Sequence, residues 1–292
     1  MQTTDITIPV AGSELGATCW TVPDPQGVVI VHPATAVTQG FYTAFATYLA
    51  SRGLQVITYD YRGTGRSRPS SLRGLDVTMA DWIDADVPAV TAWAAQRFPG
   101  LPLLAVGHSI GGHALALSPS SAGLRAAILV ASHAGATRTV RGWGERQRVR
   151  FVLSVLSPLL CRLLGYMPGS RLGLGEDLPS GVMLQWAGWC ERPNYFFDDP
   201  AMDAARRMAA NRLPLQVLSF ADDPWANPVA VEMLVSRLVN ARLERRHVDP
   251  RAAGVRAIGH MGWFRRGSAA LWPDAADWLL AHCAARQEAQ HA

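Results

Sequence analysis

Apolar and polar positions alternate in short blocks along the first part of the chain. Ile6 to Ile8, Ala17 to Thr21 and Val28 to Val31 read as three opening strands, parted by Gly12-Ser13 and by Pro23-Asp24-Pro25-Gln26-Gly27. Phe41, Phe45, Tyr48 and Leu49 then recur at helical spacing, and Gly53 closes that helix. Gln55 to Tyr59 is the next strand. Thr78-Met79-Ala80-Asp81 is a capping box that opens a helix running to about Arg97. Leu103 to Val106 predicts a buried strand, Ala114 to Leu117 a helix, and Ala126 to Ala131 another strand. Strands and helices that alternate at such intervals predict an α/β fold, with a mostly parallel central sheet flanked by helices.

The alternation stops near His133. From there to Asn211 no strand is expected, and the segment is rich in Trp143, Phe151, Trp186, Trp189, Tyr195 and other large apolar residues. Residues 133–211 therefore read as a helical cap inserted over the C-terminal edge of the sheet. Residues 1–132 and 212–292 read as the core. Alternation resumes with Leu215 to Phe220. Asn227 as N-cap and Pro228 in the first position open a helix to about Leu238. Leu243 to Val248 is the last strand, and Leu271 to Ala284 the closing helix. The residues after it are expected to fray.

Composition narrows the class. With 292 residues, 49% of them hydrophobic, the chain can bury a large core and is not disordered. Met1 to Val10 lacks the charged start and apolar core of a signal peptide. The longest apolar candidate, Phe151 to Leu164, is broken by Ser154, Ser157, Pro158 and Arg162, short of the ~18 residues of a membrane span. All 27 basic residues are arginine, and the net charge is a modest +4. Arg141, Arg146, Arg148 and Arg150 form the densest cluster. It reads as a solvated helix face, with an anionic-substrate or membrane-surface patch as the alternative. Cys19, Cys161, Cys190 and Cys283 lie far apart with no CxxC, which fits free thiols in a reducing cytoplasm. No basic stripe with interleaved aromatics points to nucleic acid. No cofactor or metal is expected. A homodimer is compatible with the sequence.

The chemistry gathers around Gly107-His108-Ser109-Ile110-Gly111, a G-x-S-x-G turn between a strand and a helix. Such a turn holds its serine in a strained backbone and lifts the hydroxyl clear of the sheet. The helix start behind it offers N–H groups to a developing oxyanion. A serine hydroxyl needs a base, and the base needs a carboxylate. Asp223, or its neighbour Asp222, follows one strand, and His260 follows the last. Asp223 is preferred because it precedes Pro224. The oxyanion donors expected are the N–H groups of Ile110 and Ala34, with Thr35 as second choice, since Pro33 has no N–H. His108 beside the nucleophile reads as structural, and His32 as a loop brace. His113, His133, His247, His282 and His291 have no placement that favours catalysis. The turn Asp60-Tyr61-Arg62-Gly63-Thr64-Gly65-Arg66-Ser67 reads as a structural loop.

These residues together resemble the α/β-hydrolase superfamily, and in particular a bacterial group of small α/β hydrolases. The resembling segments are Ala34 to Val37, Tyr59 to Ser67, Gly107 to Gly112, Gly173 to Pro179, Asp222 to Ala226 and Ile258 to His260. The resemblance implies a Ser–His–Asp serine hydrolase under a helical cap. It departs at His32-Pro33, where the family commonly has His-Gly. The reading that follows is a carboxylesterase acting on a hydrophobic acyl substrate through an acyl-enzyme. Amidase, peptidase, thioesterase and acyltransferase chemistry remain open on the same machinery, as does a non-catalytic ligand receptor. A dehalogenase would want a carboxylate where Ser109 stands.

Overall fold

The apolar runs that carry no polar relief become the buried middle of one sheet. The structure is a computed structural model and describes residues 1–284; His291 and the expected fraying lie outside the described residues. Strands β1 (Gln2–Val10), β2 (Ser13–Thr21) and β3 (Gly27–His32) come first, then helix α1 (Thr43–Ser51) and strand β4 (Leu54–Tyr59). The capping box at Thr78 opens α2 (Met79–Asp81), which continues through a π turn at Trp82–Asp86 into α3 (Val87–Arg97). Strand β5 (Leu103–His108), helix α4 (Ile110–Leu117) and strand β6 (Ala126–Val130) follow. Beyond the stretch that follows β6 come β9 (Pro214–Phe220), α9 (Pro228–Val235), β10 (Arg242–Val248) and α10 (Trp272–Ala284).

The main sheet has eight strands in the order β1-β2-β4-β3-β5-β6-β9-β10. Only the β1–β2 and β2–β4 pairings are antiparallel; the rest are parallel. Every residue of β3, β4, β5 and β6 is buried, as continuous apolar strands covered on both faces must be. Strand β10, Arg-Leu-Glu-Arg-Arg-His-Val, is largely exposed, and its charges guard the sheet edge. The chain lays β4 on one side of β3 and β5 on the other. Order therefore reverses between β3 and β5, and loops leaving these two strands open a crevice at their carboxyl ends.

Between β6 and β9 the chain runs through α5 (Trp143–Phe151), a π turn at Val152–Leu156, α6 (Ser157–Leu164), α7 (Ser180–Glu191) and α8 (Ala204–Ala210). The expectation of no strand here is corrected in one place. Between α6 and α7, β7 (Tyr166–Met167) and β8 (Leu178–Pro179) pair antiparallel. Two residues are too few to show the period of a strand. The loop between them reaches the loops that leave β3 and β4: Glu176 N–H donates to Ala36 O at 2.9 Å, and Asp177 accepts from Arg68 at 2.9 Å.

The turn after β4 is a structural loop, as read from its composition. The Asp60 carboxylate accepts from the Gln39 N–H, the Gln39 side chain and the Arg66 N–H, and Ser67 Oγ donates to Asp60 O.

Candidate active site

Ser109 sits between β5 and α4 with φ of 53°, a conformation few side chains adopt. Close packing around the turn explains its glycines. A Cβ on Gly107 would lie 2.4 Å from the Gly111 backbone, and one on Gly111 would lie 2.3 Å from His32 O. The Ser109 N–H donates to Val130 O at 2.9 Å, which ties the turn to the end of β6. Its hydroxyl faces the crevice.

His260 and Asp223 arrive there from the loops after β10 and β9. His260 Nε2 lies 3.1 Å from Ser109 Oγ, and His260 Nδ1 lies 2.8 Å from Asp223 Oδ2. A nitrogen facing a carboxylate carries the proton, so Nδ1–H donates and Nε2 is left to accept from the serine hydroxyl. Asp223 is buried, and its other oxygen accepts from the Trp225 and Ala226 N–H groups at 2.8 and 3.0 Å. Burial works to raise the Asp223 pKa. The bond and charge of His260, the His133 ring and the Trp225 N–H outweigh it and hold the carboxyl below its usual range.

Asp222, the alternative acid, does different work. Its two oxygens accept from the Ile258 and Gly259 N–H groups at 2.8 and 2.9 Å, so it fastens the backbone that carries His260 rather than the ring.

The two expected oxyanion donors part company. The Ile110 N–H heads α4 beside Ser109 and has no hydrogen-bond partner among the described residues. The Ala34 N–H, in contrast, donates to Tyr42 Oη at 2.8 Å. The Ala34 N–H is thus engaged by a buried hydroxyl oxygen. The Thr35 N–H is unpartnered among the described residues and borders the same cavity.

Two residues at the site were not expected from sequence. Tyr42 accepts from Ala34 and donates to His108 Nδ1 at 2.9 Å; His108 Nε2–H then donates to the backbone carbonyl of His260 at 2.9 Å. His108 is structural, as read, yet its reach to the His260 loop was hidden. Burial, and then the nearby His260 ring, push its pKa down to about 3, so it stays neutral. His133 follows β6, and its ring meets that of His260 edge to face at 5.3 Å. Its position just past a parallel strand end was the signal that could have found it. His113, placed behind it, donates to His133 O at 2.7 Å. His32 braces the loop through Tyr59 Oη at 2.8 Å.

The crevice is a cavity of about 500 Å³, in the range of small-molecule sites. Its walls include Val149 from α5, Val152 and Leu153 from the π turn, and Met183 and Trp186 from α7. Among the described residues Glu176 is the only carboxylate on the lining, while Arg148 and Arg265 bring two guanidinium groups. Glu145 bridges Arg148 and Trp225 Nε1, which links α5 to the Asp223 loop.

A family profile described as serine aminopeptidase, S33, matches residues 23–173. That is just over half of the chain, and it includes the Ser109 turn. The chain belongs to the S33 family of serine hydrolases. A monoacylglycerol lipase from Mycolicibacterium smegmatis is 33% identical to this S33 chain over 104 residues, 35% of this chain and 36% of the relative. The match thus spans about a third of that lipase's length. Among solved structures, a soluble variant of monoglyceride lipase from Saccharomyces cerevisiae aligns with a TM-score of 0.67 at 15% identity, covering 97% of this chain and 95% of that one. The Paleococcus ferrophilus monoacylglycerol lipase aligns with a TM-score of 0.62 at 13% identity, covering 92% and 99%. At such identity these neighbours establish the α/β-hydrolase fold. The S33 chain thus carries its Ser109 turn in the architecture that the resemblance implied.

Proposed function

We propose that this S33 hydrolase cleaves carboxylic esters with apolar substituents, with Ser109 as nucleophile, His260 as base and Asp223 as acid, under a cap formed by residues 133–211. The observation that carries the reading is the unbroken line from Ser109 Oγ to His260 to Asp223, at 3.1 and 2.8 Å, opening on a mainly apolar cavity. His260 Nε2 takes the Ser109 proton as Oγ attacks the ester carbonyl. The N–H groups of Ile110 and Thr35 receive the oxyanion. The alcohol leaves with the proton from His260, and the acyl group stays on Ser109. His260 then takes a proton from water, whose attack frees the carboxylic acid and restores Ser109.

The cavity's charge favours an ester over an aminopeptidase substrate. An α-ammonium group needs carboxylates, and the lining offers Glu176 alone, with the Arg265 guanidinium on the same wall and Arg148 already paired with Glu145. The lipase relative agrees with an ester. A fluorophosphonate probe should label Ser109, and acyl p-nitrophenyl esters of graded length should turn over, with aminoacyl p-nitroanilides far behind. Labelling and turnover should both vanish in Ser109→Ala. Ester turnover at the unchanged rate in Ser109→Ala would overturn the scheme. Ligand binding without any probe labelling would make the protein a receptor.

A further inference from the structure

The helical stretch from α5 through the π turn into α6 has two apolar faces. One turns inward, where Val149, Val152 and Leu153 line the cavity. The other faces out. Phe151, Val155, Leu159 and Leu163 are 57%, 52%, 51% and 66% exposed. They recur at every fourth position. In a regular α-helix, positions four apart drift round the axis; the wider π turn at Val152–Leu156 takes up that drift and keeps the stripe straight. Trp143, at the start of α5, is also exposed.

The charge of the same stretch is one-sided. Residues 141–165 hold Arg141, Arg146, Arg148, Arg150 and Arg162 against one carboxylate, Glu145. Their excess equals the formal net charge of the whole chain, +4. Glu145 is already engaged by Arg148 and Trp225. Arg150 and Arg162, next to Phe151 and Leu163, have no ion-pair or hydrogen-bond partner among the described residues.

We propose that this face docks on the surface of an anionic lipid bilayer, with α5 and α6 lying in the interface above the cavity. A helix with an apolar stripe and an arginine rim binds there through buried apolar area and through attraction to acidic headgroups. No helix among the described residues is long and apolar enough to cross a membrane. A second copy of the chain is the poorer occupant, because it would set the two arginine-rich faces against each other. The purpose of the docking rests on the ester reading: an apolar ester dissolved in a bilayer would meet the cavity wall without crossing water.

Vesicle co-sedimentation tests this with Ser109→Ala protein, which leaves the lipid intact. Phosphatidylcholine vesicles are used with and without phosphatidylglycerol. We expect binding to the vesicles with phosphatidylglycerol, weakened by salt. Leu159→Asp with Leu163→Asp, and separately Arg150→Gln with Arg162→Gln, should each weaken it by about tenfold or more. In the Ser109 enzyme the same pairs should leave hydrolysis of a soluble short-chain p-nitrophenyl ester unchanged, which also shows that they fold. The proposal falls if the unsubstituted chain ignores acidic vesicles, or if neither pair weakens binding. It falls equally if light scattering finds a dimer that the Asp pair splits, since the face would then belong to a second copy. Absence of soluble-ester turnover would sink the ester reading alone, because vesicle binding is read without catalysis.

Discussion

His108 Nε2 donates to the backbone carbonyl of His260 at 2.9 Å, across 152 residues of chain. The residue before the nucleophile thereby holds the loop that carries the base. Replacing His108 with Ala should let the His260 ring wander from Ser109. We expect kcat to fall by roughly ten- to a hundredfold with KM nearly unchanged. His108→Gln, which keeps a donor, should recover part of the loss. Equal kcat in the Ala variant would show that other contacts hold the loop.

Tyr42 stands one step back in the same chain of bonds. Tyr42→Phe leaves the Ala34 N–H and His108 Nδ1 without their partner in a buried site. The expected loss is about 1–3 kcal/mol of stability, measured by urea unfolding. An unchanged midpoint would mean that water replaces the hydroxyl.

The two neighbouring aspartates should separate by rate. Asp223→Asn removes the charge facing the His260 ring and favours the wrong tautomer, so kcat should drop by about 10⁴. Asp222→Asn keeps an acceptor for one of the two loop N–H groups and leaves the His260 ring its carboxylate, so its effect should stay within about tenfold. Steady-state kinetics on one soluble ester decide between them. Similar losses in both variants would take the acid role away from Asp223.

Four buried histidines should make the fold acid-sensitive. In the unfolded chain imidazoles titrate near 6.5. Burial pushes His32, His108 and His113 to about 3, and His133 to about 4. Between those values the unfolded chain binds protons that the folded chain refuses. Stability is therefore complete above about pH 6.5 and declines below it, by about 1.4 kcal/mol per pH unit for each ring. Urea midpoints taken across that range should fall steeply, and His113→Gln should flatten the slope by one proton. A pH-independent midpoint would show that the rings are charged or hydrated in the fold.

Asp86 and Arg62 form a buried pair, with Nε to Oδ1 at 2.5 Å and a second bond from the Arg62 N–H at 2.8 Å. Asp86→Ala strands the guanidinium and should lower stability by about 3–5 kcal/mol. Thermal unfolding checks this, and a loss below about 1 kcal/mol would mean that Arg62 reaches solvent instead.

Much of the architecture was legible because it follows from local rules. Val28 to Val31 and Leu103 to Val106 are apolar without relief, so they had to be covered on both faces. Thr78 with Asp81 and Asn227 with Pro228 announced helix starts that the structure keeps. The glycines around Ser109 declared a turn too tight for side chains. The β7–β8 pair stayed hidden because two residues display no period. The Ala34–Tyr42 contact stayed hidden for another reason: no sequence pattern tells whether an N–H is already engaged by a tyrosine eight positions on.

By itself, the sequence determined which segments bury themselves, in what order strands and helices succeed one another, and which few residue types could run acyl transfer. Solvation and backbone sterics act between near neighbours, and so they leave a mark on the string of residues. The fold alone decided which of Asp222 and Asp223 faces the imidazole, that Tyr42 and His108 brace it, that His133 stands beside it, and that an apolar stripe lies over the cavity. Those relations join groups far apart along the chain, and they exist only once packing has brought the ends of separate strands together.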